Sequence, residues 1–105
     1  MNAKDEMKQV RNWLRGQVKS IQSDPYLESV AARVSARIVK WDAKGHRVLV
    51  CLRDLSKPET PYNSISTRWL WVTTYCGKYS SFKWNIWREL NDLVVNMQHP
   101  DRLPF

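Results

Sequence analysis

The amino-acid sequence predicts an α+β fold, in which a helix and a short helix precede a three-stranded antiparallel sheet and a last helix follows it. Three observations support this order. Apolar residues recur at helical spacing near both ends of the chain, two alternating runs flank a tight turn, and a third alternating run follows a proline-containing loop. We expect long N-terminal and C-terminal helices that pack on one face of the sheet.

The length of the chain, 105 residues, allows one domain with its own core. An apolar fraction of 43% and a charged fraction of 26% are ordinary for a globular protein, which argues against disorder. We therefore expect a single globular domain at residues 1–98 and a C-terminal tail at residues 99–105.

The first helix is predicted by one apolar stripe over residues 3–22. Its members follow one another at three or four residues: Met7, Val10, Leu14, Val18 and Ile21. Asp24 can cap a following helix, and Pro25 suits a first helical position. A short second helix is therefore expected at about residues 25–31.

Two strands are predicted around the turn formed by residues 41–46, WDAKGH. An aspartate commonly opens such a turn, and Gly45 is expected to adopt the positive φ that it needs. Because a hairpin requires a strand on each side, we assign strands to residues 33–41 and 46–54. Residues 55–66 contain two prolines and little apolar pattern, which predicts a long surface loop.

The third strand is predicted in the run TRWLWVTTYC at residues 67–76, which alternates in polarity and is rich in residues that favour strands. The last helix begins after residue 80 and ends before Pro100. Its buried stripe is predicted to contain Phe82, Ile86, Leu90, Leu93, Val94 and Met97, with Trp87 able to join it.

The two faces of the predicted sheet differ in chemistry, because successive side chains of a strand point to opposite faces. One set is aliphatic and predicts the face that the helices cover: Val34, Ala36, Ile38, Val48, Val50, Leu52, Leu70 and Val72. The other set mixes arginines and aromatic residues: Arg33, Arg37, Trp41, Arg47, Arg53, Trp69, Trp71 and Tyr75. We call this second set the arginine face.

The charge of the chain favours a polyanionic partner. Lysine and arginine number 17 against 10 acidic residues, which gives a net charge of +7. Cations neutralise phosphate, and aromatic rings stack on bases. We therefore expect single-stranded or structured nucleic acid to bind the arginine face through Arg33, Arg37, Arg47, Arg53, Trp69, Trp71 and Tyr75.

The first helix carries a second basic surface beside its apolar stripe. Its cations are spaced by three or four residues and so share one face: Lys4, Lys8, Arg11, Arg15 and Lys19. Such a row can follow a phosphate backbone, and we expect it to add contacts that do not depend on base sequence.

Other interpretations of the arginine face stay open at the level of sequence. The residue types are also those that dominate protein interfaces, so the chain could be an adaptor or inhibitor of a larger, nucleic-acid-processing protein. The loop at residues 55–66, the tail or a second copy of the chain could equally cover the face. A third function, a metal-independent ribonuclease, would draw on Arg53, Arg68, Tyr75, Lys78, Tyr79 and His46.

The sequence contains no pattern that names a reaction. His46 and His99 lack neighbours at the spacing of metal ligands, and neither Cys51 nor Cys76 belongs to a Cys-x-x-Cys pair. We therefore expect no enzymatic activity, no metal and no cofactor. No apolar run approaches the roughly 20 residues that span a bilayer, and the first residues are too polar for a secretory signal. A cytoplasmic protein without a membrane partner is expected.

Overall fold

Three antiparallel strands form a single sheet in the computed structural model, which describes residues 3–73 and 81–100. The strands follow chain order across the sheet, with the second in the centre: β1 (Val34–Asp42), β2 (Arg47–Asp54) and β3 (Thr67–Thr73). The helices are α1 (Ala3–Ser23), α2 (Glu28–Ala31) and α3 (Ser81–Gln98). The predicted α+β class and element order are confirmed.

The helices differ in length, with 21 residues in α1, four in α2 and 18 in α3. A 3-10 turn at Pro25–Leu27 precedes α2, and the Asp24 carboxylate caps it by accepting a hydrogen bond from the backbone N–H of Tyr26 at 2.9 Å. The predicted short helix is therefore two successive turns of different pitch. The tail expected at residues 99–105 lies mostly outside the described residues, and the domain limits stay a prediction.

The core lies between the sheet and the helices. The aliphatic face of the sheet contributes Val34, Val48, Val50, Leu52 and Val72, with Ala36, Ile38 and Leu70 packed around them. From α1 come Val10 and Leu14, and from α3 come Ile86, Leu90, Leu93, Val94 and Met97. Both helices therefore cover the predicted face. Within the described part of the chain, no helix combines the length and the apolar character needed to cross a membrane.

One tryptophan lies on the opposite face from the one predicted. A β-bulge interrupts the pairing between Ile38 and Lys40, so that Lys40 stands opposite Leu49 and Trp41 stands opposite Val48. The extra residue reverses the alternation, and Trp41 packs against the core. Its assignment to the arginine face is therefore wrong, since simple alternation assumes an unbroken strand.

The hairpin turn uses its glycine differently from the prediction. His46, with φ of 49°, adopts the positive φ that was expected of Gly45. Glycine is required at position 45 for a steric reason instead, because a Cβ atom there would lie 2.8 Å from Oδ2 of Asp42. Its backbone N–H donates to Oδ1 of the same aspartate at 3.2 Å. The turn is thus closed by the carboxylate of Asp42.

The packing of the core predicts that two nearby leucines contribute very differently to the free energy of unfolding. Leu52 is fully buried under the helices, whereas Leu55 is 51% exposed. We expect Leu52→Ala to lower the free energy of unfolding by about 2–5 kcal/mol and Leu55→Ala to change it by less than about 1 kcal/mol. Urea unfolding followed by tryptophan fluorescence measures both, and equal losses would contradict this packing.

Candidate functional site

The loop at residues 55–66, which we call the cover loop, lies over part of the arginine face. The indole Nε1–H of Trp69 donates to the carbonyl of Thr60 at 2.9 Å. The backbone N–H of Trp69 donates to Oδ1 of Asn63 at 2.6 Å, and the backbone N–H of Thr60 donates to Oγ1 of Thr67 at 3.3 Å. These bonds hold the cover loop to β3 and leave Trp69 half-buried.

The carboxylate of Glu59, on the cover loop, joins two of the predicted arginines. Its Oε1 lies 2.6 Å from Nη2 of Arg37 and 3.6 Å from Nη1 of Arg53. The thiol of Cys51 lies between them and donates to the same oxygen at 3.9 Å. The hydrogen bond with Glu59 raises the pKa of the Arg37 guanidinium above its ordinary value. This internal anion therefore occupies the position that a phosphate would need.

The arginine that precedes β1 is held by the end of β2. Nη1 of Arg33 lies 3.7 Å from Oδ2 of Asp54 and donates to Oγ of Ser56 at 3.3 Å. Asp54 is buried, and its other oxygen accepts hydrogen bonds from both the backbone N–H and the hydroxyl of Ser56. These contacts hold Arg33 beside the end of β2.

The fourth arginine stacks on an exposed tryptophan at the hairpin end of the sheet. Nε of Arg47 donates to Oδ2 of Asp42 at 3.0 Å, and the guanidinium carbon lies 4.4 Å from the centre of the Trp71 ring. Trp71 is 44% exposed. Hydrogen bonds from Gly45 and Arg47 lower the pKa of Asp42 below its ordinary value. Arg47 and Trp71 are thus the most accessible pair on this face.

The four predicted arginines all have a carboxylate partner within the chain. Three acidic side chains, those of Asp42, Asp54 and Glu59, face four guanidinium groups. The structure brings Arg37, Arg53 and Trp69 together across β1, β2 and β3, and it places Arg47 with Trp71 at the hairpin. Tyr75, also predicted on this face, lies outside the described residues.

The basic surface of α1, in contrast, has no acidic partner among the described side chains. We call it the basic row, and its four described side chains are exposed: Lys8, Arg11, Arg15 and Lys19. Within the described part of the chain none of them forms an ion pair. The side chain of Lys4, the fifth predicted member, lies outside the described residues. Because α1 packs on the aliphatic face, the sheet separates this row from Glu59 and its arginines.

Arg68 has a role that the sequence did not indicate. Its Nη1 lies 3.2 Å from Oε2 of Glu89 and 2.7 Å from Oδ2 of Asp92, so it ties β3 to α3. Only 11% of its side chain is exposed. The sequence signal for such a contact would be an arginine in a strand followed by a helix that carries two acidic residues one turn apart. This pattern is too common to identify the contact from the sequence.

Two tryptophans of α3 form an exposed pair on the helix surface. The ring centres of Trp84 and Trp87 lie 5.5 Å apart at an interplanar angle of 22°. Trp87 is 45% exposed. The prediction that it joins the buried stripe is therefore wrong, because Ile86 and Leu90 already fill that position against the sheet.

Two open grooves flank the outer strand. One, of about 850 Å³, lies between β3 and α3 and is lined in part by Trp71, Asn85, Arg88 and Asn96. The other, of about 800 Å³, lies on the arginine face and is lined by Leu49, Glu59, Pro61, Tyr62, Asn63, Trp69 and Trp71. Trp71 therefore borders both.

Neither metal-binding clusters nor known relatives point to a reaction. Among residues 3–73 and 81–100, no group of three or more His, Cys, Asp and Glu side chains could hold a metal ion. Comparisons with protein-family models, curated proteins and solved structures give no match.

The cover loop predicts that Cys51 is protected from thiol reagents. The residue is fully buried, and this burial raises the pKa of its thiol. In a Cys76→Ser background, we expect the Cys51 thiol to react with a thiol-specific dye at least roughly 100-fold more slowly in the native protein than in urea. Equal rates in the two states would show that the cover loop does not close over β2.

The carboxylate of Asp42 predicts a pH dependence of stability. Because its pKa is lower in the folded state, its contribution is fully present above its ordinary pKa of 3.8 and is lost as the pH falls through the folded value. We expect Asp42→Asn to be less stable than the original chain at neutral pH, with the difference shrinking below pH 3.8. Thermal unfolding across this range tests it, and a constant difference would contradict the assignment.

Proposed function

We propose that this protein is a non-enzymatic nucleic-acid-binding protein whose main contacts are made by the basic row of α1 to phosphates. The observation that supports this is the distribution of free positive charge. The four described members of the basic row are exposed and have no carboxylate partner in the described part of the chain, whereas Arg33, Arg37, Arg47 and Arg53 are each paired.

The dimensions of the basic row suit a phosphate backbone. Between Lys8 and Lys19 the helix rises by about 16 Å at about 1.5 Å per residue. One strand of duplex DNA presents about five phosphates over that length, at about 3.4 Å each. Because each strand winds about the duplex axis, a straight row does not follow one strand, but its length is enough to lie against several phosphates of the duplex.

The arginine face is expected to contribute less than the basic row. A phosphate that approaches Arg37 or Arg53 must displace the carboxylate of Glu59, and the indole N–H of Trp69 is already bonded to the cover loop. Arg47 and Trp71 are the residues of this face that can add a stacking contact. Contacts made mainly to phosphate carry little sequence information, so we propose binding with weak base preference.

The contacts of the candidate ribonuclease residues favour binding without cleavage. Arg53 is held by Glu59 and by the carbonyl of Lys57 at 2.8 Å, and Arg68 is held by Glu89 and Asp92. Guanidinium groups that are already committed to carboxylates are poor at gathering charge on a phosphate in a transition state. We therefore propose that bound RNA remains intact.

A charge-matched pair of variants tests this proposal. Arg11→Gln with Arg15→Gln removes two charges from the basic row and keeps residues that favour helix. The control, Lys44→Gln with Lys57→Gln, removes two exposed charges elsewhere. If four phosphates are contacted, the slope of log affinity against log salt should be about −3.6 for the original chain and the control, and about −1.8 for the helix variant.

A fluorescence-anisotropy titration of a labelled duplex at several salt concentrations, starting near roughly 50 mM, measures these slopes. Absence of binding at the lowest salt concentration would refute the proposed function. Equal slopes for the helix variant and its control would refute the assignment to α1.

A further inference from the structure

Aromatic rings line the groove of about 800 Å³ on the arginine face, which we call the aromatic groove. Trp69 and Trp71 line it from β3, and Pro61 and Tyr62 line it from the cover loop. Tyr62 is 66% exposed and Trp71 is 44% exposed. Because burial of large apolar rings is favourable, these walls suit a ligand with an apolar surface.

The walls of the aromatic groove are held in place by hydrogen bonds within the chain. The backbone and indole N–H groups of Trp69 donate to Asn63 and Thr60, which fixes the cover loop against β3. The hydroxyl of Thr60 donates to the carbonyl of Tyr62 at 2.7 Å, which fixes the backbone beside the Tyr62 ring. A groove that is formed before binding pays little ordering entropy when a ligand binds.

The charges around the aromatic groove favour an uncharged ligand. Its charged lining residue is Glu59, whose Oε1 is already paired with Arg37 and Arg53. Arg47 stacks on Trp71 and pairs with an aspartate, but it does not line the groove. Among the described lining residues, therefore, a phosphate or carboxylate finds no cation, and a cationic ligand must compete with two arginines for one carboxylate.

Three side chains that line the aromatic groove keep hydrogen-bond donors for a ligand. They are the indole N–H of Trp71, the hydroxyl of Tyr62 and the side-chain amide N–H groups of Asn63. Oδ1 of Asn63 is already bonded to β3, which leaves its amide nitrogen as the donor. In the described part of the chain none of these three donors has an acceptor. The groove therefore presents donors beside apolar walls.

We propose that the aromatic groove binds a proline-rich segment of another protein in the polyproline II conformation. Proline has a carbonyl acceptor but no backbone N–H, and the carbonyls of a polyproline II helix have no internal partners. Such a segment is uncharged, packs its rings against aromatic walls and is stiff before it binds. Its chemistry therefore matches the walls, the donors and the lack of free charge in the groove.

The other occupants match the aromatic groove less well. A nucleotide brings a phosphate, for which the described lining residues offer no cation. A second copy of the chain brings a further net charge of +7, which opposes its approach.

The aromatic groove lies on the face of the sheet opposite α1, so this proposal does not depend on nucleic-acid binding by the basic row. It gives the adaptor interpretation of the arginine face a defined site and a class of partner. Each proposal can be tested without the other.

Titration of the ¹⁵N-labelled protein with a synthetic peptide of ten prolines, up to about 1 mM, tests this proposal. The readout is the indole N–H signal of Trp71. A glycine–serine peptide of equal length is the flexible control. Tyr62→Ala removes one wall of the groove, and Tyr26→Ala is its matched control because Tyr26 is 87% exposed and lies outside the groove.

We expect the proline peptide to shift the Trp71 indole signal and the glycine–serine peptide to leave it unchanged. Tyr62→Ala should weaken binding at least about tenfold and Tyr26→Ala less than about twofold. Circular dichroism checks that both variants are folded.

The proposal is overturned if the proline peptide causes no shift, if the flexible peptide binds equally well, or if the two tyrosine variants lose affinity equally. It is also overturned if a single-stranded oligonucleotide, and not the proline peptide, shifts the Trp71 indole signal in a way that Tyr62→Ala abolishes. A Trp71 signal that moves with protein concentration alone would likewise overturn it, because the occupant would then be a second copy.

Discussion

The central strand must be covered on both faces, and the rest of the structure depends on how this is done. In β2, Val50 and Leu52 are fully buried on one side and Cys51 is fully buried on the other. The helices cover the first side. For the second side the chain supplies Glu59 and the other residues of the cover loop, while Arg37 and Trp69 stand beside Cys51 on the neighbouring strands.

Covering the second side with an acidic residue determines where positive charge remains free. A carboxylate placed over Cys51 stabilises the neighbouring guanidinium groups, and a half-buried pair of this kind is harder to displace than an exposed one. The arginines of the sheet therefore serve first to attach the cover loop. The cations of α1 are not needed to attach this helix, because Val10 and Leu14 on its other face hold it to the core.

Much of the fold could be predicted because local sequence patterns indicate where the helices and strands lie. Helical spacing and strand alternation identified the elements and nearly all of the aliphatic face. The two errors have separate causes: Trp41 was assigned to the wrong face because a bulge leaves no mark in the pattern, and the positive φ fell on His46 because Asp42 fixes the turn. The cover loop could not be predicted in detail, since Glu59 meets Arg37 across 22 residues of sequence.

Part of the candidate site could be predicted because local sequence patterns determine which residues share a face. Periodicity is enough to show that Lys8, Arg11, Arg15 and Lys19 share a face, because helix geometry alone decides it. The alternation of side chains along each strand likewise predicted that Arg37 and Arg53 share a face of the sheet. Alternation does not show which acidic side chain pairs with each cation. That pairing decides whether the cation is available to a ligand.

We propose that nucleic acid binds the basic row of α1 and leaves the covered sheet face undisturbed. Two-dimensional NMR of the ¹⁵N-labelled protein during titration with a short oligothymidylate tests it most directly. We predict progressive shifts of the backbone amides of residues 8–19, with the indole N–H of Trp69 and the amide of Cys51 unchanged. Shifts at Trp69 and Cys51 with α1 unaffected would contradict the claim.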